Sequence, residues 1–332
     1  MEQPLALAAA ETPEFLREQQ QAGAQAWGRA RLPDRRTEAW KYTNLKPLRD
    51  DYQLADDSSG EVLKSSPDTF SAVCGQCLLV FVDGVFRPEL SHIDTPSAIR
   101  LCRFSEAMDS DRERIRAHLN SSLSQDEHLF AALNTAMLRD GVFLAIAANQ
   151  RCDSVIEVLS IAGAHSAPVA ASQRLLVLAE TGSQATVVER FVSLREEADT
   201  FTNGVSELLL ADNARLDHFR IHEERGAAIH IGGVHARLGR DATLNSFHLA
   251  MGSKLKRLDV VVNHDAPGAH AGLTGVYLPR GREHIDYHTT IEHAVPHCTT
   301  EEVFRGIVGD NATAVFNGRI HIHKDAQKTL AS

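Results

Sequence analysis

Histidine is the residue most out of proportion in this chain, and its distribution sets the chemistry to consider. Thirteen of the seventeen histidines lie between His218 and His323. The densest stretch holds His284, Asp286, His288, Glu292, His293, His297 and Cys298 within fifteen residues. Imidazole, carboxylate and thiolate are the ligands of zinc and iron sites. Strand alternation puts His284, Asp286 and His288 on one side, and His321 and His323 share a face in the same way. A His-x-His pair also occurs in cupin metal sites. Those need a Glu and a Gly at fixed distance, which Lys324-Asp325-Ala326-Gln327 does not supply. The bland alternative is a β-surface on which His and Thr form ladders and hydrogen bonds. One enzymatic hypothesis therefore stands: a metal-dependent β-fold enzyme using His284, His288, His321 and His323 of segment 284–323.

The other reactive residues carry less. Cys74-Gly75-Gln76-Cys77 has CxxC form, but Cys102 and Cys152 are isolated and no second pair completes a zinc site. A redox CxxC would sit at a helix N-terminus, whereas strand-like residues follow here. Phosphate-binding GxxxxGK[ST], nucleophile-elbow GxSxG and zinc-binding HExxH patterns are all missing. No catalytic, cofactor or metal residue is assigned, and the residues by themselves point to a non-catalytic β-rich protein.

The elements that must hold these residues divide the chain in two, at 1–150 and 151–332. The first part is helical and mixed α/β. Thr12 and Pro13 fit the start of a helix reaching Ala30, and Leu32-Pro33 ends it. The segment Glu38–Leu45 is short and amphipathic, with Trp40 and Tyr42 expected to pack inward. Residues 50–69 are Asp/Ser-rich and read as a solvated connection. Leu78–Phe86 reads as two strands around the Asp83-Gly84 turn. Ser105–Leu119 and Asp126–Leu138 have helical spacing, and Val142–Ala147 is a buried strand.

After residue 153 the texture becomes short β-prone runs separated by Gly, Asp and Asn, which means a sandwich, a barrel or a solenoid. A turn followed by a small residue recurs at Ala185, Ala214, Ala242, Ala269 and Ala312, at intervals of 29, 28, 27 and 43. Three intervals near 28 suit stacked coils, with Ala185, Ala214 and Ala242 in equivalent inward places, while a two-sheet sandwich stays open.

Composition narrows the function classes. The 332 residues have 43% hydrophobic and 23% charged content, which excludes wholesale disorder. A net charge of −10 disfavours nucleic acid. The longest apolar run, Val142–Ala148, is far short of the roughly 20 residues of a membrane span. Five sparse cysteines and a start without a basic segment lead to the expectation of a cytoplasmic protein.

Several stretches together resemble the SufB/SufD family of iron–sulfur cluster assembly proteins, on its SufD side. They are Leu32-Pro33 with Glu38-Ala39-Trp40-Lys41-Tyr42-Thr43-Asn44-Leu45; Leu129–Ala136 closed by Asp140-Gly141; His293-Ala294-Val295-Pro296-His297-Cys298; Phe304-Arg305-Gly306; Val315-Phe316-Asn317-Gly318; and Ala326-Gln327-Lys328-Thr329. The resemblance spans residues 12–329. It implies a helical N-terminal region followed by a right-handed parallel β-helix. It implies a scaffold subunit that pairs with a SufB-like subunit and a SufC-like ATPase, with the Fe–S cluster passing through and reduced flavin associated with the complex. Family chains continue past Ala326–Thr329 into further coils and helices that dock the ATPase. The chain is thus expected to be C-terminally shortened, self-associating and deficient in ATPase docking. A carbohydrate-active β-helix is a third possibility, disfavoured by the missing acidic site.

Overall fold

From residue 151 onward alternating apolar residues and tight polar corners leave the chain one economical course, which is to coil. The computed structural model describes residues 2–55, 77–96, 98–125, 127–165 and 167–332. It begins with helices α1 (Glu2–Glu11) and α2 (Arg17–Arg29). Next come β1 (Cys77–Val82), β2 (Val85–Phe86), β3 (Ile99–Arg103), helix α3 (Asp109–His118), helix α4 (Leu129–Ala136) and β4 (Val142–Ile146). The coils follow as β5 (Arg151–Ala162), β6 (Val169–Ala179), β7 (Gln184–Ser193), β8 (Thr200–Leu210), β9 (Arg215–Glu223) and β10 (Ile229–Leu238). They end with β11 (Thr243–Met251), β12 (Leu255–His264), β13 (His270–Leu278), β14 (His284–His293), β15 (Thr299–Gly306), β16 (Thr313–Ile322) and β17 (Leu330–Ala331).

From β4 onward odd and even strands separate into two sheets. One has nine strands in the order β17-β15-β13-β11-β9-β7-β5-β1-β2, the other eight in the order β16-β14-β12-β10-β8-β6-β4-β3. Among the strands β4 to β17 every pairing with one another is parallel and joins strands two apart in sequence. The result is a β-solenoid of about seven turns with 47% strand, as the repeat and the resemblance both led one to expect.

One corner of each coil obeys a rule. Two residues before every odd strand from β5 on, the backbone is left-handed: Asn149, Gly182, Asn213, Asp241, Gly268, His297 and Lys328 have φ between 54° and 82°. Asn, Asp and Gly tolerate this conformation best. The next residue is small and buried in five successive coils: Ser183, Ala214, Ala242, Ala269 and Cys298. Backbone bonds stack them, from Arg215 N to Ser183 O, Thr243 N to Ala214 O, His270 N to Ala242 O and Thr299 N to Ala269 O, at 2.8 to 3.0 Å. The repeat is therefore real, but two of its anchors are corrected. Ala185 is a register partner of Leu216, two places past the corner, and Ser183 holds the equivalent site. Ala312 lies at the opposite corner, equivalent to Glu283, which is why the 43-residue interval broke the period.

The N-terminal elements cover the outer face of the even-strand sheet. Leu45, Tyr52, Phe130, Leu133 and Met137 form one cluster with Ala170, Phe201, Ile229, Ile231 and Leu255. Helix α2 meets α4 so closely that a Cβ on Gly23 would lie 2.7 Å from Thr135 Cβ. Trp40 packs on Phe130 at 5.5 Å between centroids and lies beneath the Arg257 guanidinium at 4.6 Å. Tyr42 instead points to solvent, 67% exposed; its inward placement is corrected. Thr12 does not start the second helix. Its hydroxyl donates to Leu138 O (2.6 Å), with Ala8 O also 2.8 Å away, and ties the end of α1 to the body. The Asp83-Gly84 hairpin forms as expected, pairing Phe81 with Phe86 and Val82 with Val85. Cys77 opens β1 and is buried; Cys74 and most of the Asp/Ser-rich stretch, 56–69, lie outside the described residues. At the far end the inward-facing Phe316, Ile320 and Ile322 of β16 are exposed.

Candidate functional site

Chemistry-bearing side chains collect inside the solenoid. On β9 the alternation turns Leu216, His218, Arg220 and His222 inward and leaves Phe219 outside. Arg220 meets Glu189 of β7: NH1 donates to Glu189 Oε1 at 2.8 Å, and NH2 donates to Gly204 O at 2.9 Å. Glycine makes this possible, because a Cβ on Gly204 would sit 2.9 Å from Arg220 NH2. Ser206 Oγ donates to the same carboxylate at 2.7 Å, and His218 Nε2 lies 2.9 Å from it. Burial opposes the Glu189 charge, yet Arg220 and His218 hold its carboxyl well below the usual range.

A second charged group adjoins the first. Glu224 Oε1 lies 2.6 Å from His230 Nδ1, and Lys256 Nζ lies 3.6 Å from Glu224 Oε2 while donating to Glu224 O at 2.6 Å. Arg220 Nε donates to His222 Nε2 at 3.2 Å, so that nitrogen carries a lone pair. Burial, then the neighbouring His230 charge, lowers His222 to about 3, so the ring stays neutral. All these side chains are at most 2% exposed.

Within this network Ser246, His218 and Glu189 bond in the order of a nucleophile, a base and an acid. Ser246 Oγ lies 2.8 Å from His218 Nδ1 and 2.9 Å from His248 Nε2. A working triad presents its hydroxyl to substrate. Here all members are buried and Ser246 is spent between two imidazoles, so the arrangement secures the core.

Two profiles match the chain, described as "SUF system FeS cluster assembly, SufBD core domain" over residues 161–332 and "SufBD protein N-terminal region" over 2–158. The chain belongs to the SufBD family. Among curated relatives, an iron–sulfur cluster assembly SufBD family protein of Synechocystis is 29% identical over 320 residues, covering 94% of this chain and 70% of that protein. The iron–sulfur cluster assembly protein SufD of Escherichia coli is 27% identical over 304 residues, covering 91% and 68%. SufD of Bacillus subtilis is 24% identical over 214 residues, covering 64% and 48%.

On this SufBD framework the histidines singled out by sequence separate. His284, Asp286 and His288 do share the outer face of β14, but they clamp the N-terminal motif. Asp286 accepts from Arg257 NH1 at 2.7 Å and, through a very short bond, from Thr43 Oγ1; His288 Nε2 lies 3.1 Å from its other oxygen. Thr43 Oγ1 also meets His284 Nε2 at 3.0 Å, and Arg257 NH1 donates to Ala39 O at 2.7 Å. Burial opposes the Asp286 charge, but His288 and Arg257 keep it lowered. His321 is the register partner of Glu292, four residues along β14 from His288, which is about 13 Å of strand. The set His284, His288, His321 and His323 is therefore not assembled. His321 and His323 instead flank Glu292 Oε2 at 2.7 and 3.0 Å on the exposed outer face.

Sequence reasoning missed Glu189, Arg220, Glu224 and Lys256. For Arg220 the signal was the two-residue alternation Leu216-x-His218-x-Arg220-x-His222. Alternation identifies two faces without saying which one is inside.

Proposed function

We propose that this SufBD chain is a non-catalytic scaffold subunit of a Suf-type iron–sulfur cluster assembly complex, pairing with a SufB-like subunit and a SufC-like ATPase in the cytoplasm. The cluster is cargo handled at the level of the complex, and reduced flavin belongs to the complex. The observation that carries the reading is the ordered match to both parts of the family on a continuous β-solenoid. That match also supports a division near residue 150 between an N-terminal helical and mixed α/β region and the coiled core. The internal charges support it too, because they bond to one another and offer solvent no reacting group. Among the described helices none is long and apolar enough to cross a membrane.

Co-expression with a SufB-type and a SufC-type protein, followed by affinity capture on this chain and size-exclusion chromatography, tests the reading. Stoichiometric capture of the SufB-type protein is expected. Elution of this chain without the SufB-type protein overturns it.

A further inference from the structure

We infer that His264, His293 and Cys298 form a buried binding site for one borderline transition-metal ion of the zinc(II), cobalt(II) or iron(II) class. One donor atom from each lies within 4.8 Å of the others, and all three side chains are fully buried. The fold brings them together: His264 and His293 are register partners on β12 and β14, and Cys298 follows the left-handed corner before β15. The two imidazole rings stack at 4.3 Å with 8° between their planes. A donor set of two imidazoles and a thiolate selects zinc, iron or copper over magnesium or calcium.

Hydrogen bonding leaves one nitrogen of each ring without a partner. Thr300 Oγ1 lies 3.0 Å from His264 Nε2 and 3.2 Å from His293 Nε2, while the Nδ1 of each ring has no partner. A threonine hydroxyl has one proton and two acceptor lone pairs. If both Nε2–H groups donate to it, both Nδ1 atoms carry free lone pairs, and Thr300 orients the two rings as outer-shell partners orient metal-bound histidines. The thiol has only weak contacts, such as Ala266 O at 3.4 Å from Sγ.

Two other clusters compete less well. His222, Glu224 and His230 already have Lys256 Nζ 3.6 Å from the carboxylate and Arg220 Nε 3.2 Å from an imidazole nitrogen, so an added dication would be repelled. Glu292, His321 and His323 are partly spent on one another, with Arg319 NH1 donating to the second Glu292 oxygen at 2.8 Å. The backbone after β16 closes over the proposed site, His323 N donating to His293 O and Leu330 N to Cys298 O. Ion entry needs that segment to lift. Binding breaks the Cys298 S–H bond, forms a metal–sulfur bond and releases one proton to solvent, with no change of oxidation state.

The inference stands apart from the assembly role, and its test uses no partner. The full chain carrying His321→Gln and His323→Gln, both exposed positions, is freed of metal and titrated with cobalt(II) alone. One equivalent should bind with a near-ultraviolet thiolate-to-cobalt band and visible bands of low coordination number. Cys298→Ser in that background should abolish the thiolate band, and His264→Gln or His293→Gln should weaken binding about tenfold or more. Absence of the thiolate band, or its survival in Cys298→Ser, overturns the site. Should the buried variants fail to fold by circular dichroism, zinc X-ray absorption on the parent background decides. One sulfur among nitrogen and oxygen scatterers supports the site, and a shell without sulfur overturns it.

Discussion

The two halves of the solenoid's cross-section are built on opposite principles. Beside the left-handed corner the interior of the earlier coils is hydrocarbon: Val187, Leu216 and Leu244 face Leu208, Ala236, Val260 and Val262. Toward the opposite corner it becomes Glu189, Arg220, Glu224, His230 and Lys256. The apolar half gains from every coil that stacks, by roughly 25 cal/mol per Å2 buried, and is indifferent to exact geometry. The polar half gains little from burial itself, because desolvation consumes most of the attraction between its charges. It does penalise any coil that stacks out of register, since a missing partner strands a buried charge. One half supplies cohesion and the other specifies alignment.

The largest effect that can break this comparison is on the polar side. Arg220→Met leaves Glu189 buried with His218 and Ser206 alone, and should cost about 3–5 kcal/mol in chemical denaturation. Adding Glu189→Gln should restore most of the loss. A double variant no better than the single one removes the ion pair as the cause. On the apolar side Leu244→Ala should cost somewhat less, about 2–4 kcal/mol, whatever is done to Arg220.

Acid should separate the halves as well. Folded His222 is lowered to about 3, whereas its ordinary value is 6.5. Between those values the unfolded chain binds a proton that the folded chain does not, so stability falls as pH falls through that window. Glu189 and Glu224, both held below the carboxylate range, add a loss at still lower pH. The unfolding free energy should therefore drop below pH 6.5, by up to about 1.4 kcal/mol per pH unit for each such histidine. The slope should be shallower in His222→Gln, and an unchanged slope in that variant contradicts a neutral buried ring.

Smaller changes sharpen the picture at its edges. Ala214→Phe overfills the corner column and should cost about 1–3 kcal/mol, whereas replacement by Ser, as Ser183 stands in the preceding coil, should be mild. Phe219→Thr, on the outer face of β9, should move stability by only about 0.5 kcal/mol. A loss as large as that of Leu244→Ala would mean that the faces of β9 are reversed.

Much of the solenoid was legible before any coordinates. The spacing near 28 residues, the Asn/Asp/Gly corners followed by a small residue, and the Asp83-Gly84 hairpin all report local backbone requirements, and local requirements are written in adjacent residues. The histidine-rich run also announced itself by composition. Its sorting did not: His284 and His288 hold Asp286 and the N-terminal motif, His297 is exposed, and His293 with Cys298 turns inward to meet His264.

What the sequence determined by itself is therefore the coil: its period, the conformation of one corner, and the two alternating faces of each strand. Only the tertiary structure decided which face is the inside. Stacking at 2.8 Å backbone bonds places residues about 28 apart in sequence directly against each other. Arg220 becomes a core residue because Glu189 lies one coil away and Gly204 leaves it room. Phe219, with no such neighbours to gain, is left outside. A charge is tolerated in the interior only when its partner arrives from another coil, and no stretch of adjacent residues contains that information.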